Sequence, residues 1–257
     1  MKKGIVLVTA MILFSTGAAW AHEPIGVDVD LTWVSKYIWR GFDKQDDKAA
    51  FQPSVNFDLG SGFSFNFFWS QPGSSKGGAT DSLVDAEELF YTVTYANSLF
   101  DGETYATNYA VSWVYYDFPD RGTKDADMQE FLIAIAWPDL CPMGVVPSYV
   151  FARCWASKGG GTAADNGGFA HVFGLNYDLE VAELPNPLDL GFELVYNDGS
   201  GNETVDHDWS HIVWSVKTSF DCGPGKLTPG VYYQTSMEDT VNPEDEFWCG
   251  ISYGLSF

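Results

Sequence analysis

Hydrophobic and polar side chains alternate one for one along most of the chain beyond residue 26, and no helical period of any length competes. A period of two is the signature of a strand whose two faces meet different surroundings. Over residues 27–42, Val27, Val29, Leu31, Trp33, Tyr37 and Trp39 share one face, and Asp28, Asp30, Thr32, Lys36 and Arg40 share the other. Residues 51–59 set Phe51, Val55, Phe57 and Leu59 against Gln52, Ser54, Asn56 and Asp58. A Gly60-Ser61-Gly62 turn then feeds Phe63, Phe65, Phe67 and Trp69. The pattern returns over residues 88–95, 104–116, 130–137, 145–156, 173–179, 188–197, 212–221, 227–235 and 248–257, which predicts twelve strands. The seventh is the least regular, since Arg153 falls on the same face as Tyr149, Phe151 and Trp155.

A secreted β-sandwich would also alternate, but its water-facing side should be rich in charge. Here the polar face is mostly Ser, Thr, Asn, Gly and Ala, with isolated charges of both signs. An all-β, antiparallel up-and-down barrel with an apolar exterior and a polar lumen fits better, and an even strand count places both chain ends on one side. Strands of about 10 residues, tilted by about 40°, span the roughly 25 Å apolar band of a bacterial outer membrane. Long polar loops at 72–85, 117–127, 157–167, 198–209 and 237–246 alternate with mostly shorter turns, as expected of outer and periplasmic ends. Trp39, Trp69, Trp113 and Trp155 fall near one predicted rim, and Trp137, Tyr177, Phe220 and Phe257 near the other. The last strand carries Cys249, Ile251, Tyr253, Leu255 and Phe257 on one face, and Tyr253, Leu255 and Phe257 form the expected signal for the barrel assembly machinery.

Residues 1–21 begin with Lys2 and Lys3, continue through an apolar run, and end in Ala19-Trp20-Ala21, the pattern of a secretory signal peptide. The expected mature chain is a single outer-membrane barrel domain over residues 22–257. Loss of the two lysines takes the formal charge from -22 to -24, which excludes nucleic acid as a partner. Disorder, the other common state of acidic chains, is excluded by a hydrophobic content of 46% and an aromatic content of 16%.

The stretch Val34-Ser35-Lys36-Tyr37-Ile38-Trp39-Arg40-Gly41-Phe42, followed by Asp46, Asp47 and Phe51-Gln52-Pro53-Ser54, resembles the opening signature of the TorF-like porins, an outer-membrane β-barrel family. The Glu88 strand ending in Tyr95, the run Tyr115-Tyr116-Asp117-Phe118-Pro119 and Glu130 resemble that family's middle signatures. The likeness covers nearly the whole mature chain, with its specificity concentrated in residues 34–54 and 115–130. The four cysteines and the order Phe51-Gln52-Pro53-Ser54 depart from the family's usual form. The resemblance implies a channel and attaches no substrate to it.

The strand phase aims Asp30, Lys36, Arg40, Glu88, Glu130, Glu193 and Lys217 into the lumen. Isolated charges in a narrow, poorly solvated space are costly, so opposite charges should pair there. Such a set makes either a charged constriction that selects permeants or an internal brace that plugs the barrel. A twelve-strand ring lies between the filled 8-strand and the open 16-strand cases. No metal site and no cofactor are expected. His207 and His211 are spaced as a helical zinc pair but lead into a strand, where that spacing separates the rings. Ser210 and His211 should point to opposite faces and form no hydrolytic dyad. Cys141 and Cys222 fall in periplasmic turns, with Cys154 and Cys249 in outer strand halves. At least the latter two are expected as free thiols. The acidic loops at 117–127 and 238–246 should face outward, as solvated charge or as weak divalent-cation sites bridging lipopolysaccharide.

The expected function is an outer-membrane channel for small hydrophilic solutes, not an enzyme. Its partners are outer-membrane lipid and lipopolysaccharide, the barrel assembly machinery and the solutes themselves. A non-conducting barrel acting as scaffold or adhesin is the alternative, and a lipid-modifying enzyme is a third.

Overall fold

The computed structural model describes residues 25–73, 86–201 and 204–257. The expected signal peptide and most of the loop at 72–85 lie outside the described residues. The first strands are β1 (Gly26–Val34), the two-residue β2 (Ile38–Trp39) and β3 (Phe42–Asp43), β4 (Ala50–Gly60) and β5 (Phe63–Pro72). They are followed by β6 (Glu88–Leu99), β7 (Thr107–Asp117), β8 (Met128–Ala136), β9 (Val146–Ala156) and β10 (Gly168–Leu179). The last are β11 (Leu188–Asp198), β12 (His207–Lys217), the short β13 (Phe220–Cys222), β14 (Gly225–Ser236) and β15 (Glu246–Ser256).

Twelve of these strands are barrel staves: β1, β4 to β12, β14 and β15. Each is antiparallel to its neighbours, β1 pairs with both β4 and β15, and β12 pairs with β14. The ring therefore closes, as the alternation predicts. Closure satisfies the backbone N–H and C=O groups of every stave and removes the exposed edges that an open sheet presents.

The two faces of the staves differ as the sequence pattern requires. Trp33, Trp113, Phe131, Phe173, Trp214 and Ile251 point outward and remain 37–50% exposed, forming an apolar outer belt. Their inward neighbours are small: Ala110, Ala134, Ala152 and Ala170 are buried to within 1%. Together with Leu132, Val150, Val172 and Val195 they pack one side of the lumen shut. The irregular seventh run keeps its phase in β9, where Arg153 sits outside and over the Phe169 ring at 5.6 Å.

One expectation fails at the start of the barrel. The first strand does not run to residue 42; it ends at Val34, and residues 35–49 turn inward. Tyr37 and Trp39, expected on the outer face, lie inside, so Trp39 is no part of the rim. Lys36 and Arg40 do face the lumen, but from this connection and not from a stave. Strand alternation cannot continue here because residues 43–48, Asp-Lys-Gln-Asp-Asp-Lys, offer no apolar face to lipid.

The connection is itself a tiny hairpin. Ile38 pairs with Asp43 and Trp39 with Phe42, leaving Arg40 and Gly41 as the two-residue turn. Both have positive φ, 49° and 91°, the requirement of a type I′ turn and the reason glycine follows arginine. At Gly41 even a methyl group would stand 2.6 Å from the His211 ring and 2.7 Å from Val241.

Candidate functional site: a hairpin lodged in the barrel

The turn delivers Arg40 into the middle of the lumen, where burial leaves it 7% exposed and its partner Glu130 fully covered. The guanidinium grips the Glu130 carboxylate with both terminal nitrogens, Nη2 to Oε2 at 2.8 Å. This is the bidentate geometry for which arginine is suited. Tyr116 donates its hydroxyl to the same Oε2 at 2.5 Å. Trp39 lies edge-on to Tyr116, with ring centroids 5.8 Å apart, and its face carries the Arg40 guanidinium at 4.7 Å. Three elements, the hairpin, β7 and β8, thus meet at one charge pair.

A second contact ties the hairpin to β6. Tyr37 donates to Glu88 Oε2 at 3.0 Å, and Lys44 Nζ lies 3.0 Å from Oε1. Gln45, buried, donates to the Ala86 carbonyl at 3.3 Å. On the opposite wall, Gln234 of β14 and Asn242 of the loop between β14 and β15 both donate to the Gly41 carbonyl, at 3.0 and 3.1 Å. Lys36 donates to Glu246 of β15 at 2.7 Å and also pairs with Asp47. These two carboxylates hold its ammonium well above the usual lysine value. Asp43, Asp47 and Glu246 converge closely enough to suggest a cation site. The Lys36 ammonium already supplies the charge that Asp47 and Glu246 need.

Of the seven lumen positions expected from the sequence, Lys36, Arg40, Glu88 and Glu130 are brought together by the hairpin. The other three are not. Asp30 sits midway along β1 and takes hydrogen bonds from the hydroxyls of Thr32 and Ser252. Lys217 of β12 pairs with Asp189 of β11 at 3.2 Å. Glu193, 8% exposed, is on β11 across the lumen wall. Nothing in the strand alternation marks Tyr37, Lys44, Tyr116, Gln234 and Glu246 as partners of this cluster. The one local signal for them is the Arg40-Gly41 dipeptide, whose positive φ values mark a hairpin turn and not a strand.

Two other expectations are decided here. Ser210 and His211 do meet: Ser210 Oγ lies 2.8 Å from His211 Nδ1. A register shift between Val195 and Tyr196 in the pairing of β11 with β12 lets both residues turn inward, against the strict alternation assumed from the sequence. Ser210 is fully buried and also donates to the Val195 carbonyl at 3.3 Å. His207, the first residue of β12, instead pairs with Asp198. All four cysteines are free thiols, Cys154 buried and Cys249 half-buried among them.

The hairpin divides the lumen. A cavity of about 310 Å³ lies along Asp30, Thr32, Lys217, Thr228, Tyr232 and Ser252, and none of its lining comes from β9, β10 or β11. A second, of about 220 Å³, is framed by Trp39, Phe42, Lys44, Phe118 and the loop residues Asn166 and Ser200. At the closing seam Phe257 exchanges both backbone hydrogen bonds with Val27, while the residue as a whole is 77% exposed. Tyr253 donates to the Cys222 carbonyl at 3.0 Å, and Leu255 pairs with Val29.

No family model matches the chain, and no curated protein matches it in sequence. Solved structures do resemble it in fold. The KdgM porin aligns with a TM-score of 0.53 at 9% identity, covering 90% of this chain and 99% of that one. The same porin in complex with disordered oligogalacturonate aligns with a TM-score of 0.50 at 8% identity, covering 90% of this chain and 98% of that one. An outer-membrane channel from Pseudomonas putida F1 aligns with a TM-score of 0.52 at 10% identity, covering 95% and 100%. At such identities the shared property is the architecture: the chain has the closed antiparallel barrel fold found in outer-membrane porins and channels.

Proposed function

We propose that this chain is an outer-membrane pore for small hydrophilic solutes, with the hairpin of residues 35–49 as its constriction. The carrying observation is the hairpin itself: a charged segment held from wall to wall inside a closed barrel whose exterior is apolar. A stave count of twelve leaves room for such an insert together with a cavity, whereas an eight-stave barrel is filled by its own side chains. The apolar belt is the surface that outer-membrane lipid would cover, and the acidic outer loops would face lipopolysaccharide. Residues 1–21 would direct export, and the Tyr253, Leu255 and Phe257 face would engage the assembly machinery. Kinship with the TorF-like porins belongs to the same reading, because the motif at residues 34–42 is the segment that builds the constriction.

Purified protein reconstituted in planar bilayers should show discrete conductance steps in potassium chloride. Repeated reconstitution of folded protein without channel events would overturn the pore. A second reading, a non-conducting barrel that serves as scaffold or adhesin, draws on the packing of Ala110, Ala134, Ala152, Ala170 and Val172 on one side of the lumen. The same recording separates the two.

A further inference from the structure

We infer that the lumen passes cations in preference to anions and that Asp30 is the residue that sets this preference. The inference rests on the pore reading and adds to it a class of permeant.

The charges inside the barrel do not cancel. Each of four inward bases has a carboxylate beside it: Lys36 has Asp47 and Glu246, Arg40 has Glu130, Lys44 has Glu88, and Lys217 has Asp189. Those bases are matched by five carboxylates; beyond them Asp28 and Asp30 of β1 and Glu193 of β11 also face inward, and of these three Asp30 lines the cavity of about 310 Å³. Among the described residues no basic group pairs with Asp30; its partners are the hydroxyls of Thr32 and Ser252. A carboxylate presents about four acceptor sites, so two hydroxyl donors leave lone pairs aimed at the lumen. Asp28, two residues along the same inward face of β1, extends the acidic track toward the end of the barrel where Val27 meets Phe257.

The space beside Asp30 is open for a structural reason. Directly opposite Asp30 on β15 stands Gly254, and the next inward position, Ser252, is one of its two hydroxyl donors. A methyl group at Gly254 would stand 3.7 Å from Asp30 Oδ2, so the missing side chain is what keeps that carboxylate uncovered. The far wall of β9, β10 and β11 contributes nothing to this cavity. A permeant moving along the β1, β15 and β14 side therefore passes the Asp30 carboxylate, which has no basic partner among the described residues, at mid-height. A low-dielectric wall strengthens that field, which attracts a cation and repels an anion. Alkali cations and small organic ammonium ions fit such a path. A polyanion such as oligogalacturonate does not, which sets this chain apart from the KdgM porin that it resembles in fold.

The experiment is a reversal-potential measurement across a planar bilayer with a potassium chloride gradient. Wild-type protein should give a potential on the potassium side. Asp30→Asn, which keeps the shape and hydrogen-bonding ability of the side chain, should move that potential most of the way to zero, and Asp30→Glu should preserve it. Asp30→Ser gives a second neutral variant if Asp30→Asn does not refold. An anion-selective or unselective wild-type channel would overturn the cation preference while leaving the pore intact. A cation-selective channel indifferent to both neutral variants would overturn the role of Asp30. A protein with no conductance would overturn the pore and this inference together.

Discussion

Arg40 and Glu130 meet at a place where neither could remain alone. Glu130 is fully covered, and a buried carboxylate without its base carries an uncompensated charge. Arg40→Ala should therefore lower folding stability by about 3–5 kcal/mol. Urea unfolding of the refolded barrel would measure this, and an unshifted midpoint would disprove the pairing. Removing both partners should recover part of the loss, because the penalty belongs to the orphaned charge and not to the pair. Both residues are recognisable in the sequence as lumenal, but their meeting is not. They are 90 positions apart, and only the Arg40-Gly41 turn aims the guanidinium at β8. The cysteines give a second test at this level. Cys222 is exposed and Cys154 is buried beside the Arg40 and Glu130 pair. In folded protein a maleimide should label Cys222 and leave Cys154 unmodified until the barrel is denatured. Rapid labelling of Cys154 would mean that the lock opens in solution.

The hairpin of residues 35–49 is the element that local alternation misassigns. Its Tyr37 and Trp39 continue the odd-numbered apolar phase of β1, so a reading confined to neighbouring residues extends the strand and sends both rings into lipid. What reverses them is the interior: Glu88 for the Tyr37 hydroxyl, and Tyr116 with Arg40 for the Trp39 ring. Glu88 and Tyr116 lie on β6 and β7, out of reach of any short window. Most of the hairpin's polar bonds run to the staves and to the loop between β14 and β15. The staves bond to one another without it. Replacing residues 38–43 by a short glycine-serine linker should therefore leave the barrel folded, by its mobility in unheated gels, and raise the unitary conductance in bilayers. A shortened barrel that conducts as wild type would show that the constriction lies elsewhere.

For the molecule as a whole, closure depends on the β1 and β15 seam, where Phe257 pairs backbone to backbone with Val27. The residue is 77% exposed and adds little packing. Phe257→Ala should thus cost at most a few kcal/mol in stability, yet sharply reduce the amount of protein recovered in the outer membrane. Fractionation beside urea unfolding would separate the two effects, and wild-type recovery of the variant would end the assembly-signal argument. The sequence by itself determined the barrel: its twelve staves, their inside and outside, and the inward aim of Asp30, Glu88, Glu130, Glu193 and Lys217. It could do so because a strand's faces are set by nearest-neighbour geometry, and burial against lipid or lumen selects the side chains two apart. Only the tertiary structure decided that the first connection fills the lumen, that Ser210 and His211 share one side, and which charge stays unpaired. Those outcomes depend on which distant staves the closed ring holds face to face across the lumen, and on a register shift between β11 and β12. Neither leaves a mark in the spacing of residues along the chain.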